Sequence, residues 1–197
     1  MRIPTWTIVL GAALTALILG LSFTQAFGGW TKAGVLAGTA ITARWAFPWF
    51  IAAWAASSLV RLWPGGWRTV LLRRRRAVGL AFAANHFVHL GFVVAAVSQF
   101  DETRPLYVYL LGGGAYVMIA AMALTSNDAA QRWMGLRGWR LLHVVGGWWV
   151  LIIFANSYVG RLMTKPAIAA PAVVLIVAAL GLRMAAALKG RSRAQAA

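Results

Sequence analysis

Six long apolar runs, separated by short gaps, constrain this chain more than any other feature of its sequence. Each run approaches the ~20 residues that a helix needs to cross the hydrocarbon core of a bilayer. The runs lack the period-two alternation of barrel strands, and only helices and closed barrels satisfy their own backbone hydrogen bonds in lipid. The pattern predicts an all-α polytopic membrane protein, a six-helix bundle forming a single transmembrane domain over residues 1–197. The predicted spans are roughly 6–26, 45–62, 77–98, 106–124, 139–158 and 167–188.

The composition agrees with this class and excludes others. Hydrophobic residues make up 61% of the chain and charged residues 11%, whereas soluble domains carry about 25% charged residues. The net charge of +16 would suggest nucleic-acid binding in a soluble protein. Here the charges lie in the gaps between apolar runs, so we expect no nucleic-acid partner. The chain has no cysteine, which excludes disulfides, iron–sulfur clusters and cysteine-based zinc sites.

The basic residues predict the orientation. Cytoplasmic segments of membrane proteins carry an excess of Lys and Arg, and the bias here places both termini in the cytoplasm, in a bacterial inner (plasma) membrane. These residues are also expected to contact the bilayer and its anionic lipids on the cytoplasmic face. The predicted inner segments hold Arg2, Arg61, Arg68, Arg73, Arg74, Arg75, Arg76, Arg132, Arg137, Arg140, Arg183, Lys189, Arg191 and Arg193. The predicted outer loops hold Lys32, Arg44, Arg104, Arg161 and Lys165.

The first apolar run has a second interpretation. Arg2, an apolar stretch and the tripeptide Thr24-Gln25-Ala26 are also compatible with a signal peptide and its cleavage site. The run is long for the apolar region of a signal peptide, which favours a retained first helix over cleavage of residues 1–26.

Three histidines are the candidate functional residues. His86 and His89 lie three residues apart in the third span and so share a helix face, whereas His143 lies near the start of the fifth span. Ionisable residues inside a membrane are costly and often functional, although polar side chains also serve as interhelical packing contacts. Histidines on two helices with small residues nearby suggest a b-type haem site. The nearby glycines, Gly79, Gly91, Gly146 and Gly147, are compatible with a porphyrin or with close helix packing.

Two sequence blocks resemble a known family. The first is Arg75-Arg76-Ala77-Val78-Gly79-Leu80 with His89 in the same helix. The second runs from Leu124-Thr125-Ser126-Asn127 through Gln131-Arg132 and Gly135 to Trp139-Arg140-Leu141-Leu142-His143. Together they are similar to the third and fifth helices of the ferric reductase-like transmembrane domain family. Within it the chain looks like a divergent member of the MsrQ/YedZ-like haem-binding membrane subunits.

The resemblance implies a bundle of the cytochrome b or ferric reductase-like type that relays electrons. Carried over by position, His89 matches the third-helix haem ligand of the family and His143 its first fifth-helix ligand. The family has a second histidine thirteen residues further on, where this chain has Asn156. The partner expected for His89 is therefore missing.

The depths of the histidines limit how one iron could be shared. If Arg76 and Arg140 mark the same interface, His89 and His143 differ in depth by about 15 Å, and His86 reduces this by about 4.5 Å. A single haem would then be held by His143 with His86 or His89, or by one histidine alone. Arg75 and Arg76 are expected to anchor the inner interface, and such arginines also pair with haem propionates.

The function therefore has two open interpretations. The first is a membrane-embedded haem b protein that exchanges electrons with a partner protein or a quinone; whether it is itself an enzyme stays open. A separate electron donor is expected because the sequence shows no strand–glycine–helix unit for a nicotinamide or flavin. The alternative is a haem-free helical membrane protein with a structural, sensory or accessory role. A small transporter is a weaker third interpretation, because discontinuous helices and paired intramembrane charges are not evident.

Overall fold

The computed structural model describes residues 3–195 and confirms the predicted all-α class. Within that range the chain forms six α-helices, each long and apolar enough to span a membrane. They are α1 (Thr5–Ala26), α2 (Lys32–Leu62), α3 (Gly66–Phe100), α4 (Leu106–Leu124), α5 (Asp128–Val159) and α6 (Pro166–Gln195). Arg2 and the side chain of Arg193, both used to predict the orientation, lie outside the described part.

The predicted spans fall inside these helices, but four of the helices are substantially longer. The span predicted at 106–124 coincides with α4, whereas α2 begins at Lys32 rather than near residue 45. The predictions followed only the apolar runs, and the Gly-, Ala- and Thr-rich stretch before residue 45 is not strongly apolar. It is nevertheless helical, because small residues there allow close contact with α1. Arg44, predicted to lie in an outer loop, is a partly buried residue within α2.

The helix ends follow from local capping chemistry. The Thr31 side chain accepts a hydrogen bond from the Gly34 amide at the start of α2, and Asn127 does the same for the Ala130 amide at the start of α5. Such caps satisfy amide groups that have no partner within the helix. Gly135, with φ 70° and ψ 156°, interrupts the helical backbone inside α5. The helix axis therefore changes direction at Gly135, between the first turns of α5 and its apolar part.

Helix α2 is central to the bundle and packs against α1, α3 and α6, while α5 packs against α4 and α6. The main core lies where α2, α3, α5 and α6 meet and is rich in aromatic rings. Its largest members are Phe47, Phe50, Trp54, Phe82, Ile119, Leu151, Phe154, Tyr158 and Ile176. Helix α4 is more peripheral, since only Ala115 and Ile119 are buried along it.

Candidate functional site

A cavity of about 420 Å³ opens among α2, α3, α4 and α5, at the end of the bundle that carries the run Arg73 to Arg76. Its volume lies within the range of small-molecule and cofactor sites, about 300–1,000 Å³. Much of the wall is apolar or aromatic, and one histidine lines it. The main wall residues are Phe50, Trp54, Gly79, Phe82, Ala83, Ile119, Met122, Ala123, Trp139, His143 and Gly147.

The polar part of the lining is strongly cationic. Arg73, Arg75 and Arg76 line the cavity, and Asp128 is the one carboxylate among the lining residues that the structure describes. Asp128 pairs with Arg76 at 2.9 Å, and Arg75 donates from Nε to the Ala53 carbonyl at 2.9 Å. The cavity therefore combines an apolar interior with an excess of positive charge, which matches a ligand with an apolar body and anionic groups.

The His143 ring is held in a defined orientation. Its Nδ1 lies 3.0 Å from the Trp139 carbonyl, and because a carbonyl only accepts, Nδ1 carries the proton. The ring also stacks on Trp139 with centroids 4.1 Å apart, and Trp139 Nε1 donates to the Thr125 carbonyl at 3.0 Å. His143 Nε2 is buried and has no hydrogen-bond partner among the described residues. Because Nδ1 carries the proton, Nε2 carries the lone pair, in the tautomer usual for metal-ligating histidine.

His86 and His89 occupy a different and closely packed environment, and neither lines the cavity. Their ring centroids are 5.1 Å apart. His89 Nδ1 lies 3.1 Å from Thr42 Oγ1, whose proton is directed to the carbonyls of Gly38 and Thr39 at 2.9 and 3.0 Å. Thr42 therefore accepts from His89 Nδ1–H, which ties α3 to α2.

Aromatic side chains fill the space between His86 and α5. The His86 ring lies 5.0 Å from Tyr116, 5.2 Å from Phe82 and 5.7 Å from Phe154. Phe154 is in turn 5.6 Å from Phe50 between ring centroids. A flat macrocycle ligated by His86 from the α5 side would have to displace these rings.

Asn156 stands where the resemblance leads one to expect a second fifth-helix histidine, and its side chain is exposed on α5. It does not belong to the packed core, which includes its neighbours Phe154 and Tyr158. The structure therefore brings His86 and His89 together, places His143 in the cavity with Arg75 and Arg76, and leaves Asn156 apart from both groups.

The glycines near the histidines have different roles. A Cβ on Gly146 would lie 2.8 Å from Met122 Sδ, and one on Gly147 would lie 3.4 Å from the Trp54 ring. Gly146 thus allows close packing of α5 against α4, whereas the space beside Gly147 would accommodate a Cβ in ordinary contact. Gly79 lines the cavity, and a Cβ there would have no described neighbour within 4 Å. Gly91 has equally open surroundings but does not line the cavity.

Several residues of functional interest did not emerge from the sequence. Asn85 is fully buried in α3, and its position inside an apolar run was the available signal, since polar residues there are costly. Trp139, four residues before His143, could have been predicted as its stacking partner from helix periodicity. The contributions of Trp54 and Met122 to the cavity depend on tertiary packing and have no local signal.

No protein-family model, curated protein or solved structure matches the chain. The function is therefore inferred from the chemistry of the cavity and from the residues that carry the family resemblance.

Proposed function

We propose that this protein binds one b-type haem in the cavity, where His143 would hold the iron, and relays electrons to or from a partner. The observation that carries the proposal is His143 Nε2, a buried imidazole nitrogen that no described donor or acceptor reaches within 3.5 Å with hydrogen-bond geometry. Leaving such an atom unpaired in a membrane interior costs free energy. Ligation of an iron would remove that cost.

The other residues of the cavity fit the remaining parts of a haem. Arg73 and Arg75 supply guanidinium groups for the two propionates, since arginine forms strong charge-assisted hydrogen bonds with carboxylates. Phe50, Trp54 and Phe82 provide an apolar surface for the macrocycle. The iron, when bound, supplies one-electron chemistry whose potential depends on its ligands and on burial.

The protein's own residues would position the cofactor and limit access to it. The Trp139 carbonyl holds the His143 ring through Nδ1–H, and a hydrogen bond of this kind raises the basicity of a ligating imidazole. The Arg76–Asp128 pair bridges α3 and the start of α5 beside the cavity. Electrons would come from or go to a separate redox protein or a quinone.

The proposal differs from a direct transfer of the family ligand set. His89 donates to Thr42 and His86 packs against aromatic rings, so we assign neither to the iron, and the haem is held by one histidine. The arginine-rich end is proposed to face the cytoplasm of a bacterial cell and to contact anionic lipids. Both termini would then be cytoplasmic, as the distribution of basic residues predicts.

The second candidate is a haem-free membrane protein with a structural, sensory or accessory role. The exposed position of Asn156 and the aromatic rings beside His86 favour it. In that case the pair His86 and His89 would serve packing, and the cavity would accept another anionic amphiphile.

The deciding experiment is haem quantification on the purified protein, by reduced-minus-oxidised absorption spectra and a pyridine haemochrome assay. We expect close to one haem per chain in the native protein, loss of most haem in His143→Ala, and retention in His89→Ala. Size-exclusion elution of each variant controls for folding. Retention of haem by His143→Ala would reject the ligand assignment, and absence of haem after expression with ample haem supply would favour the second candidate.

A further inference from the structure

A group of polar atoms in the interior of the bundle lacks hydrogen-bond partners. They belong to Asn85, His86 and Tyr116, on α3 and α4. Within the described part of the chain no donor or acceptor reaches Asn85 Nδ2, Asn85 Oδ1, His86 Nδ1 or Tyr116 Oη, and all four atoms are buried. Each such group costs several kcal/mol in hydrocarbon surroundings. The His86 and Tyr116 rings stack with centroids 5.0 Å apart, so two of these unpaired groups are neighbours on different helices and point to a shared ligand.

A different orientation of the Asn85 amide, tautomer of His86 or rotation of the Tyr116 hydroxyl does not provide these atoms with hydrogen-bond partners. Exchanging the oxygen and nitrogen of the Asn85 amide leaves both atoms unpaired, because neither has a partner. His86 Nδ1 is unsatisfied in either tautomer, since it lacks an acceptor as well as a donor. The Tyr116 hydroxyl can rotate, but no acceptor among the described residues lies within reach.

The polar atoms lie close to the apolar end of the cavity. Phe82 and Ile119 line the cavity; His86 follows Phe82 by four residues, and Tyr116 precedes Ile119 by three. Each polar side chain is thus about one helical turn beyond a cavity residue. The Phe82 ring, which lines the cavity, also lies 5.2 Å from the His86 ring.

We propose that His86 and Tyr116 hold internal water inside the bundle, beyond the cavity. Water matches this pair because it donates and accepts, as the hydroxyl and the imidazole together require. A metal ion fits less well, because no group of three His, Cys, Asp or Glu side chains occurs in the described chain. The proposal does not depend on haem, since neither His86 nor Tyr116 lines the cavity.

Radiolytic hydroxyl footprinting tests the proposal, because radicals generated from internal water oxidise the side chains beside it. The experiment uses the full-length protein in lipid nanodiscs and reads oxidation by mass spectrometry, with each rate normalised to that in the denatured chain. We expect Tyr116 and His86 to be oxidised several-fold faster than Trp149, an equally half-buried aromatic residue of α5 that does not line the cavity and whose Nε1 already donates to the Leu111 carbonyl. Equal protection of all three would overturn the proposal.

Two variants complete the test. In His86→Phe the water loses one partner, so the oxidation rate of Tyr116 should fall, whereas the cavity variant His143→Phe should leave it unchanged. If His86→Phe does not fold, Tyr116→Phe gives the reciprocal measurement on His86. Tyr116→Phe should also leave the thermal midpoint unchanged or lower it. A rise would mean that the hydroxyl is an unsatisfied group in a dry core, which would reject the water site.

Discussion

The interface of α1, α2 and α3 and the cavity among α2, α3, α4 and α5 both place glycine near histidine, yet the two regions use it differently. At the interface, Gly20 and Gly38 have no side chains, so the backbones of α1 and α2 and the Phe92 ring pack closely. Thr42 receives a hydrogen bond from His89 in the same region. At the cavity, Gly79 faces open space and His143 Nε2 has no described partner. The same residue types therefore serve packing in one region and leave room for a ligand in the other.

This difference shows why small residues next to histidine do not identify a cofactor site by themselves. In the packed region, Thr42 and His89 satisfy each other through a hydrogen bond between two helices. In the open region, His143 Nε2 has no hydrogen-bond partner among the described residues, and three arginines line the same cavity. The comparison predicts that substitutions in the first region alter stability, and that substitutions in the second alter ligand binding.

The largest expected effect is on stability, from Gly38→Ala. The added Cβ would lie 2.5 Å from Thr24 Oγ1 and 2.8 Å from the Gly20 carbonyl oxygen, so α1 must move away from α2. Overpacking of this kind costs about 1–3 kcal/mol, and the backbone contact favours the upper end. Unfolding in mixed SDS micelles measures the change. The control Gly91→Ala adds a methyl group with no described neighbour within 4 Å and should not destabilise; equal losses in both variants would contradict the packing role.

The second prediction concerns Gly79→Leu in the cavity. The new side chain would occupy space that the ligand needs, so the haem content of the purified protein should fall about tenfold, equivalent to ~1.4 kcal/mol of binding free energy. The thermal midpoint of the haem-free protein should not fall. Gly181→Leu, at an exposed position of α6, is the matched control. Unchanged haem content in Gly79→Leu would show that the ligand lies elsewhere.

A smaller effect is expected from Thr42→Val, which removes the acceptor for His89 Nδ1–H without changing side-chain volume much. Hydrogen bonds between membrane helices contribute about 0.6 kcal/mol on average, and His89 left without its partner raises that figure somewhat. The matched variant Thr39→Val removes only a bond to the Val35 carbonyl within α2. A double-mutant cycle with His89→Leu should give a coupling free energy for Thr42→Val and none for Thr39→Val. A coupling free energy of zero for both would contradict the hydrogen bond between Thr42 and His89.

The smallest effect is expected at the opposite end of the packed region. There the Lys32 ammonium, which donates to the Glu102 carboxylate at 3.0 Å, and the nearby Arg104 guanidinium hold the pKa of Glu102 below its usual range. A lowered pKa gives stability that is present above the unfolded value of about 4.3 and is lost as pH falls through the folded value.

The thermal midpoint should therefore decline at acidic pH slightly more in the native protein than in Glu102→Gln. Because the pair is near the surface, the difference should be small and should shrink in high salt. A Glu102→Gln profile that parallels the native profile at all pH values would show that the pair does not contribute.

The sequence predicted the helices well where apolar residues are continuous and poorly where they are not. The span predicted at 106–124 coincides with α4, because its ends are marked by Pro105 and by the polar Thr125. The early start of α2 was missed because Lys32 to Arg44 is rich in Gly, Ala and Thr, whose helical state here depends on contacts with α1. The kink at Gly135 was also missed, since glycine inside a helical pattern does not by itself determine φ.

The site was predictable only in part. The three histidines and the arginines stood out because ionisable groups are rare in the apolar runs. Which histidine faces a cavity could not be predicted from those runs. Helix periodicity shows which residues share a face of one helix, but not what that face contacts. Asn85 and Tyr116 gained significance only once their polar atoms were found to be buried without described partners.

The sequence by itself determined the membrane class, the all-α fold and the separation of basic from apolar segments, because hydropathy and length act locally along each helix. The tertiary structure alone decided that His89 is engaged by Thr42, that aromatic rings enclose His86, and that His143 borders an arginine-lined cavity. These outcomes depend on the relative rotation and spacing of helices that are distant in the chain. That arrangement is set by side-chain packing between helices, so no single segment contains it.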